Sequence, residues 1–373
     1  MPTHIECLKI NSFRGIENLE IDDLGAVNII VGDNNVGKTS VLEAIQILCA
    51  PNKYNLIQVA RQREKSKMRV SMGLVDALLY LFKNNYSDYE NLRMDVEGKI
   101  LGEVGNVCVK GNIGTQLIDF NEYRARHLMR EKANEQGSTE EVDTFFGRIE
   151  SSFIVDEQLS FFEENDDEFE INNYSRIRVD LSNKNVIIPT KMVLTFDHVL
   201  ENSFNAITRS SRIKDKAITL LQNEFDKDIL DMRIISDSHN SRYTPVIEKR
   251  SGEYIPLPVY GDGMKKMLTI LNTILNTEKG VVLVDEFETA LHTSAMREVF
   301  SFVMEAARKC NVQLFMTTHS IEAVDKMLES AGENINNIRV IRLKKKNGKM
   351  YSRVYNGNEA LKDRIDYNLE IRE

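Results

Sequence analysis

Residues 32–39 read Gly32-Asp33-Asn34-Asn35-Val36-Gly37-Lys38-Thr39 and fit the Walker A pattern G-x-x-x-x-G-K-[ST]. An apolar run at 26–31 precedes them, and residues 40–48 follow with apolar positions at helical spacing. This is the order of strand, loop and helix that the motif requires. The two glycines allow backbone N–H groups to point into a concave loop at the positive end of a helix. The stretch therefore predicts an anion-binding loop.

The motif assigns a task to each of its polar side chains. We expect Lys38 to reach the β- and γ-phosphates of a nucleoside triphosphate, and the Thr39 hydroxyl to ligate Mg²⁺. The remaining residues expected to bind the nucleotide here are Gly32, Asp33, Asn34, Asn35, Val36, Gly37 and Ser40. The alternative is a glycine-rich turn without a ligand. The Lys-Thr pair in register and the two correct flanks disfavour it.

Composition limits the function classes. Hydrophobic residues make up 42% and charged residues 28% of the chain, as in ordinary globular proteins. The formal net charge of −9 argues against a generally basic nucleic-acid binder, so contact with DNA or RNA would need a local patch. The cysteines form no C-x-x-C pair, which indicates reduced thiols without a zinc knuckle or disulfide framework; they are Cys7, Cys49, Cys108 and Cys310.

The N-terminus gives no sign of a targeting segment. Residues 1–10 lack a basic stretch followed by an apolar core, and no apolar run in the chain approaches the ~20 residues of a membrane span. We therefore expect a cytoplasmic protein without membrane contact. Its 373 residues allow two or three average domains or one large interrupted domain.

Arg14 is the first candidate along the chain. Residues 5–10 alternate as in a half-buried strand, and residues 16–21 could pair with them across a turn at 11–15. That turn places Arg14 just upstream of the phosphate loop. From spacing alone, a surface arginine and a functional one are equally compatible with the pattern.

A basic run follows the Walker A helix. Basic side chains occupy every second position from 61 to 69, namely Arg61, Arg63, Lys65, Lys67 and Arg69. In an extended segment they would line one edge and could face phosphates. A solvated loop explains the same pattern and is favoured.

The middle of the chain is predicted to interrupt the fold. Glu131 to Glu170 is acidic and polar without the spacing of a calcium loop, which indicates a solvated insertion. Phe196 to Met232 has little glycine and no proline and is predicted to be helical. Shorter elements are predicted as a helix at 72–81 and strands at 92–109, 176–181 and 186–194.

The second half returns to alternating strands and helices. An apolar strand at 280–284 ends in Asp285-Glu286, and a strand at 312–316 leads to Thr317-Thr318-His319, with a helix between them. This alternation predicts an α/β fold with a mixed, largely parallel sheet flanked by helices. Ligands of such sheets bind at the carboxyl ends of the strands.

Two acids and a histidine should therefore emerge beside the phosphate loop. Asp285 can hold Mg²⁺ through water and Glu286 can polarise the attacking water, as in a Walker B motif. Acids that only cap the next element are the alternative, which a Walker A loop in the same chain disfavours. His319 can donate to the γ-phosphate, or be a hydrogen-bonded turn histidine. His292 is also compatible with a helix cap.

Glycines stand directly before another helix, in Tyr260-Gly261-Asp262-Gly263. A G-x-G sequence before a helix is common and is weak evidence alone. Its position after Walker A and shortly before Asp285-Glu286 raises its weight as a functional signature.

In this order, the motifs resemble the ABC-type ATPase heads of the RecF/SMC group, and most closely the overcoming-lysogenisation-defect (OLD) type. The stretches that carry the resemblance are 11–15, 260–263, 285–288 with His292, 317–320, and the ending from 340–343 through 368–372. The chain has Tyr260 where serine is common, and Asp262 between the glycines. The long coiled-coil arm of SMC proteins and the Toprim nuclease domain of complete OLD proteins are not recognised.

The resemblance implies a P-loop NTPase of the ABC type with antiparallel N-terminal strands and a helical insertion. ATP and Mg²⁺ would be sandwiched between two heads of a homodimer or higher oligomer, with the signature of one closing on the Walker A nucleotide of the other. Catalysis would involve Lys38, Glu286 and His319, with Thr39 and Asp285 at the metal. Arg14 would contact the nucleotide, and either Gln58 or Gln62 would lie near Mg²⁺.

The same resemblance divides the chain and suggests its role. The first part of the head would be 1–130, an inserted acidic and helical lobe 131–239, and the second part of the head 240–373. Stand-alone heads of this type resemble the ATPase components of anti-phage defence systems, in which a separate nuclease or toxin acts. The alternative is a RecF-like repair ATPase that binds DNA, while a membrane transporter's subunit is disfavoured by the Phe-Arg-Gly start and the GDG signature.

No nuclease activity of the chain's own is expected. Carboxylates do occur near the end, at Glu359, Asp363, Asp366 and Glu370. Their spacing of three or four residues, with Lys362 and Arg364 interleaved, fits a solvated helix face better than a two-metal site.

Overall fold

The computed structural model describes residues 2–65, 72–82, 89–119, 139–154, 165–173, 175, 186–197, 204–237 and 242–367. Three sequence predictions fall outside these residues: the end of the basic run at 66–69, the strand at 176–181, and the ending at 368–372. The described strands, in chain order, are β1 (Ile5–Phe13), β2 (Ile16–Ile21), β3 (Val27–Val31), β4 (Leu92–Ile100), β5 (Glu103–Asp119), β6 (Thr139–Ile154), β7 (Asn165–Asn172), β8 (Thr190–Val193), β9 (Ile229–Asp237), β10 (Arg242–Lys249), β11 (Tyr254–Pro256), β12 (Val281–Val284), β13 (Gln313–Thr318), β14 (Ile338–Lys346) and β15 (Lys349–Asn356).

The described α-helices flank these strands. They are α1 (Lys38–Cys49), α2 (Lys53–Arg61), α3 (Leu74–Leu79), α4 (Asn205–Thr208), α5 (Ser211–Glu224), α6 (Asp262–Leu275), α7 (Thr293–Cys310), α8 (Ile321–Ser330) and α9 (Gly357–Tyr367). Short 3-10 turns occur at Gln62–Lys65, Leu257–Val259 and Gly332–Asn337. No helix within the described ranges is both long enough and apolar enough to cross a membrane.

The central sheet has the strand order β15-β14-β3-β13-β12-β8. All of its described pairs are parallel except β14 with β15. Every residue of β3, β12 and β13 is buried, because both faces of the sheet are covered. Successive side chains of a strand point to opposite faces. Accordingly Val27, Ile29 and Val31 pack with α6, α7 and α8, whereas Ile30 packs with α1 and the N-terminal strands.

The N-terminal strands form a separate antiparallel sheet in the order β2-β1-β4-β5-β6-β7. β1 and β2 pair as predicted, from Leu8 opposite Ile21 to Phe13 opposite Ile16. Arg14 occupies the turn between them with φ +50°, and its backbone N–H donates to the carbonyl oxygen of Leu81 at 2.8 Å. The apolar face of this sheet covers α1.

The order of the central strands positions the candidate site. β13 lies between β3 and β12, with Thr318 level with Val31 and Met316 level with Val284. The Walker A loop, Asp285 and His319 therefore emerge from three adjacent parallel strands at the same edge. The predicted P-loop fold class, with its mixed sheet, flanking helices and antiparallel N-terminal strands, is confirmed.

The middle of the chain contains more strand than predicted. The helical prediction from Phe196 to Met232 is wrong at its end, because α5 stops at Glu224 and β9 begins at Ile229. β9 pairs with β10, and this pairing outweighs local helix propensity.

Residues 139–154 and 165–172 are also strands, within the stretch that was predicted to be a solvated acidic insertion. Their acidic side chains alternate with Phe145, Ile149 and Ile171, which are buried in the core beside α1. β8, from the same predicted lobe, joins the central sheet. The division of the chain at 131 and 239 stays a prediction.

Candidate functional site

The Walker A loop connects β3 to α1 in a conformation that glycine allows. Gly32 has φ +151° and Gly37 has φ +104°, which L side chains rarely adopt. A Cβ on Gly32 would also lie 2.5 Å from the carbonyl oxygen of Leu343 on β14. Asn35, at φ +62°, completes the turn. The loop thus depends on its two glycines for both dihedral angle and space.

Lys38 folds back over this loop. Its Nζ donates to the carbonyl oxygens of Gly32 at 2.7 Å and Asp33 at 2.9 Å. Lys38 is 9% exposed, and burial lowers its pKa while four nearby carboxylates act in the opposite direction. The ammonium group is therefore kept at the mouth of the loop by acceptors that an anionic oxygen could replace.

Asp285 is held by hydroxyl groups from three directions. Thr39 donates to its Oδ1 and Oδ2 at 3.0 and 3.2 Å, and Thr317 donates to Oδ1 at 2.7 Å. Thr195, just after β8, lies 3.4 Å from Oδ2. The predicted metal pair, Thr39 and Asp285, is thus in direct contact.

Glu286 follows in the left-handed region, with φ +47°. Its backbone N–H donates to Oγ1 of Thr317 at 2.8 Å, and its Oε2 accepts from Thr289 at 3.2 Å. A left-handed conformation costs a non-glycine residue about 1–2 kcal/mol. The hydrogen bonds with Thr317 and Thr289 therefore hold Glu286 in this conformation and fix where its side chain points.

His319 stands at the end of β13 beside a carboxylate. Its Nδ1 lies 3.0 Å from Oε1 of Glu288, which also accepts the His319 backbone N–H at 2.9 Å. The His319 side chain is 51% exposed, so the imidazole is fixed on one side and accessible on the other. His292 is the N-cap of α7, accepting from the Ser294 N–H, as its alternative interpretation proposed.

A cavity of about 520 Å³ brings these groups together. Its lining residues are Asn34, Asn35, Gly37, Lys38, Thr39, Ser40, Arg63, Asp285, Glu286 and His319. A second cavity, of about 670 Å³, shares Arg63 and part of the loop with the first and adds Arg14, Val36 and apolar side chains. Gly32 and Asp33 contribute their carbonyl oxygens to Lys38 and line neither cavity.

Arg63 is a site residue that sequence reasoning placed in a solvated loop. Its Nη2 donates to Oε2 of Glu43 at 2.6 Å and to Oγ of Ser40 at 3.0 Å. Glu43 is fully buried on α1 and also forms an ion pair with Arg14, whose Nε lies 2.7 Å from Oε2 of Glu43. The solvated-loop interpretation is wrong at Arg63, because a buried carboxylate anchors this guanidinium between the two cavities.

The two candidate glutamines differ in environment. Gln62 is buried and its Nε2 donates to Oε1 of Glu43 at 3.2 Å, whereas Gln58 is exposed on α2. Neither lines the cavity that contains Asp285. The structure places Gln62 in the Glu43 network and brings neither glutamine to the predicted metal pair.

The signature residues begin α6. Gly261 is the N-cap, and a Cβ on Gly263 would lie 2.6 Å from the carbonyl oxygen of Ala290. The Tyr260 ring lies beneath Lys249, and Asp262 forms an ion pair with Lys265 at 2.6 Å. Tyr260, Gly261, Asp262 and Gly263 line neither of the two cavities.

Lys266 was missed by sequence reasoning. It is fully buried on α6, and its Nζ donates to the carbonyl oxygen of Asp285 at 3.3 Å. Burial lowers the pKa of Lys266 to about 8, although four carboxylates around it act in the opposite direction. The sequence did contain a signal for Lys266, because a charged residue stands there among the apolar positions of α6. Glu43 is likewise a charged residue among the apolar positions of α1.

Comparisons with known proteins agree with this site. A family model described as "AAA ATPase domain" matches residues 4–103, and one described as "AAA domain, putative AbiEii toxin, Type IV TA system" matches residues 153–325. An ATP/GTP phosphatase from Helicobacter pylori is 24% identical over 86% of this chain and 86% of that protein. The DNA replication and repair protein RecF of Lachnoclostridium phytofermentans is 34% identical over 21% of this chain and 24% of that protein.

Among solved structures, an SMC head domain from Thermotoga maritima covers 95% of this chain and 99% of its own, with 13% identity and a TM-score of 0.42. The two family matches contain the Walker A loop, the signature, Asp285-Glu286 and His319. In the structure, the Walker A loop and the three residues at the strand ends share one cavity. The chain is an ATPase with a P-loop fold.

Proposed function

We propose that this chain is an ATP-driven switch of the OLD type, in which two copies close over ATP and hydrolysis reopens them. A separately encoded nuclease or toxin effector would act on its signal in bacterial anti-phage defence. The observation that carries the proposal is the separation of two half-sites. The Walker residues share a cavity, whereas the signature, Tyr260–Gly263, lies outside it.

The signature half-site has the properties of a phosphate-binding helix end. α6 begins at an exposed Gly261 without a side-chain cap, so its first N–H groups are not occupied by a capping side chain. Apart from its chain neighbours, no atom of the described residues lies within 4 Å of a Cβ built on Gly261, which leaves space for a ligand. Helix N-termini of this kind favour anions. A second copy would therefore complete the cage around the γ-phosphate.

The residues present fit ATP and Mg²⁺. The concave loop and Lys38 supply donors for phosphate oxygens, and the adjoining 670 Å³ cavity has room for a nucleoside. Thr39 and Asp285 supply neighbouring oxygen atoms, which Mg²⁺ prefers as ligands. When bound, Mg²⁺ would neutralise charge that develops on the phosphates.

The protein groups divide the chemistry between them. Glu286, aimed by its left-handed backbone and by Thr289, would accept the proton of the attacking water. Lys38 would stabilise negative charge on the phosphates, and Arg63, which lines the same cavity, would add a second cation. His319, fixed by Glu288, would donate toward the γ-phosphate.

The comparisons support parts of this proposal. The H. pylori relative, named for its ATP/GTP phosphatase activity, aligns with most of both chains. The family model over 153–325 is described by a putative toxin of a type IV toxin–antitoxin system, which supports a role in a system of two components. The OLD assignment itself rests on the motifs.

The central experiment uses Glu286→Gln. This variant should bind ATP, lose about 10²-fold or more in turnover, and form a longer-lived ATP-dependent dimer in light scattering. Lys38→Ala should lose nucleotide binding. Gly261→Arg should bind ATP without turnover. A wild-type protein that hydrolyses ATP as a monomer under all nucleotide conditions would refute the two-copy switch.

A specific observation favours a second candidate, an ATPase that responds to DNA. One face of the β14–β15 hairpin is basic, because Lys346 lies opposite Lys349, Lys344 opposite Tyr351, and Arg342 opposite Arg353. Opposed residues of an antiparallel pair point to the same side. Among the described residues, no carboxylate pairs with Lys344, Lys346 or Lys349, and all three are exposed.

The other face of this hairpin contacts the Walker A loop. Leu343 packs over Gly32, and Met350 lies 3.3 Å from the Cβ position of Gly37. In a chain with net charge −9, an isolated basic face next to the phosphate loop would orient a nucleic acid toward the ATPase. The exposed Tyr351 adds a stacking surface.

The test compares two triple variants with equal charge change. Lys344→Glu/Lys346→Glu/Lys349→Glu should weaken binding of duplex DNA by about tenfold or more and reduce its salt dependence. Arg212→Glu/Lys227→Glu/Lys279→Glu, at exposed positions elsewhere, should bind as the wild type does. Equal weakening in both variants, or displacement of the DNA by polyglutamate at matched charge, would exclude a DNA site on this hairpin.

A further inference from the structure

Lys266 is a buried cation that the ATP site does not explain. It lies in α6, five positions after Gly261, and is 0% exposed. Its neighbours Met264, Met267 and Leu268 are buried apolar residues of the main core. Lys266 lines neither of the two cavities described above, so its role is not explained by contact with a nucleotide there.

Stability alone gives no reason for a lysine at this position. Removing an ammonium group from water is costly, and buried ionic groups can often be replaced by apolar side chains of similar volume without loss. What Lys266 provides is a directional bond to the carbonyl oxygen of Asp285. It also places positive charge near Asp285, Asp197, Glu288 and Glu286.

A second contact ties the same helix to the same catalytic segment. Gly263 packs so closely against Ala290 that a Cβ would lie 2.6 Å from its carbonyl oxygen. Residues 285–290 are therefore attached to α6 at both ends, by Lys266 and by Gly263. Within this segment, Glu286 and Ala290 have φ +47° and +70°. A shift of α6 would act directly on this constrained segment.

We propose that Lys266 is a positioning residue that couples the signature helix to the Walker B acids of its own copy. This inference rests on the proposed two-copy switch, in which the N-terminus of α6 meets the nucleotide of the partner. Engagement there would move α6, and Lys266 would carry the movement to the backbone of Asp285 and so to the Glu286 carboxylate. Each copy would then hydrolyse its own ATP only after its signature has engaged the other.

The test replaces Lys266 by methionine, which matches the residues around it, and by arginine, which keeps a charged donor. Lys266→Met should retain the ATP dissociation constant and lose about tenfold or more in kcat, while Lys266→Arg should regain part of that loss. Thr273→Val is the matched control, because the Thr273 hydroxyl donates to the Thr269 carbonyl oxygen within α6 and makes no other hydrogen bond to the described residues. If Lys266→Met does not fold, Lys266→Gln takes its place.

A second measurement separates this inference from the switch itself. Glu286→Gln/Lys266→Met should form the same ATP-dependent dimer as Glu286→Gln, because engagement precedes coupling. If Glu286→Gln never assembles, the two-copy switch fails. If it assembles and folded Lys266→Met has wild-type kcat, or if ATP affinity falls in parallel with kcat, the coupling role of Lys266 is wrong.

Discussion

The hydroxyl of Thr317, at the end of β13, donates to Oδ1 of Asp285, at the end of β12, across 2.7 Å. The same hydroxyl oxygen accepts the backbone N–H of Glu286 at 2.8 Å. One fully buried side chain thus fixes both acids relative to the neighbouring strand. Hydrogen bonds to charged groups contribute about 1.5–3 kcal/mol each, so this contact is a substantial part of the site.

Thr317→Val should impair the metal site while preserving the strand, because valine keeps the β-branched shape and removes the hydroxyl. We expect the Mg²⁺ concentration for half-maximal ATPase activity to rise about tenfold, since Asp285 loses the shortest of its three hydroxyl contacts. Thr318→Val is the control, because the Thr318 hydroxyl contacts only Ser320 among the described residues. An unchanged Mg²⁺ dependence in Thr317→Val would contradict this role.

Glu43→Gln should destabilise the fold more than it alters chemistry. Glu43 is fully buried between Arg14 and Arg63, and loss of its charge leaves two guanidinium groups without their counter-ion. Breaking a buried ion pair on one side costs about 3–5 kcal/mol. Urea unfolding should show that the free energy of unfolding falls by about 3 kcal/mol, the lower end of this range, because Arg63 is partly solvated. A change under 1 kcal/mol would argue against the network.

Arg63→Ala should weaken ATP binding more than it destabilises the fold. Its side chain is 44% exposed, so we expect little loss of stability, about 1 kcal/mol or less. The ATP dissociation constant should rise about tenfold, because a charge-assisted contact in the phosphate cavity is removed. Arg61→Ala, whose guanidinium pairs with Glu64, controls for a general charge effect. Equal ATP affinity in both variants would remove Arg63 from the site.

Gly32→Ala should unfold the protein at lower temperature than Gly348→Ala. Both glycines have positive φ, but only at Gly32 would the new methyl group meet a backbone oxygen, 2.5 Å away. Gly348 has open space around its Cβ position, so only the dihedral strain of about 1–2 kcal/mol applies there. Thermal unfolding of the two variants measures the difference. Similar thermal unfolding midpoints would show that β14 shifts to accommodate the methyl group.

Glu305→Gln should lower stability in a pH-dependent way. Hydrogen bonds from Lys216 on α5 and from Lys309 lower the pKa of Glu305 to about 2. The folded state therefore favours the ionised form, and the stabilisation is complete above the ordinary carboxyl pKa and disappears as pH falls toward 2. We expect a difference of about 1 kcal/mol at pH 7, because the group is partly solvated. A difference that persists at pH 2 would point to another cause.

Local patterns predicted the parts of the site that are local. The Walker A loop needs two glycines and a lysine in register with a strand and a helix, and all of that information lies within twenty residues of Gly32. Asp285-Glu286 and His319 were found because each ends an apolar strand. Their meeting at one edge follows from the rule that parallel strands bind ligands at their carboxyl ends.

The missed residues depend on contacts across the chain. Arg63 belongs to the site because of a carboxylate on α1, and Lys266 because α6 packs beneath Asp285. The polar strand β7, predicted as part of an acidic insertion, is ordered by pairing with β6. Periodicity within one segment does not contain such pairings, because they are set by the partner strand.

The position of β3 has a consequence for synthesis on the ribosome. β3 ends at residue 31, yet its neighbours in the sheet are β13, which begins at 313, and β14, which begins at 338. β3 and the phosphate loop that follows it can therefore be enclosed only after nearly the whole chain has emerged from the ribosome. Such long-range pairing slows folding and leaves an unpaired edge open to aggregation. Expression yield should thus be sensitive to truncation before β14, even though the nucleotide-binding motif is already present.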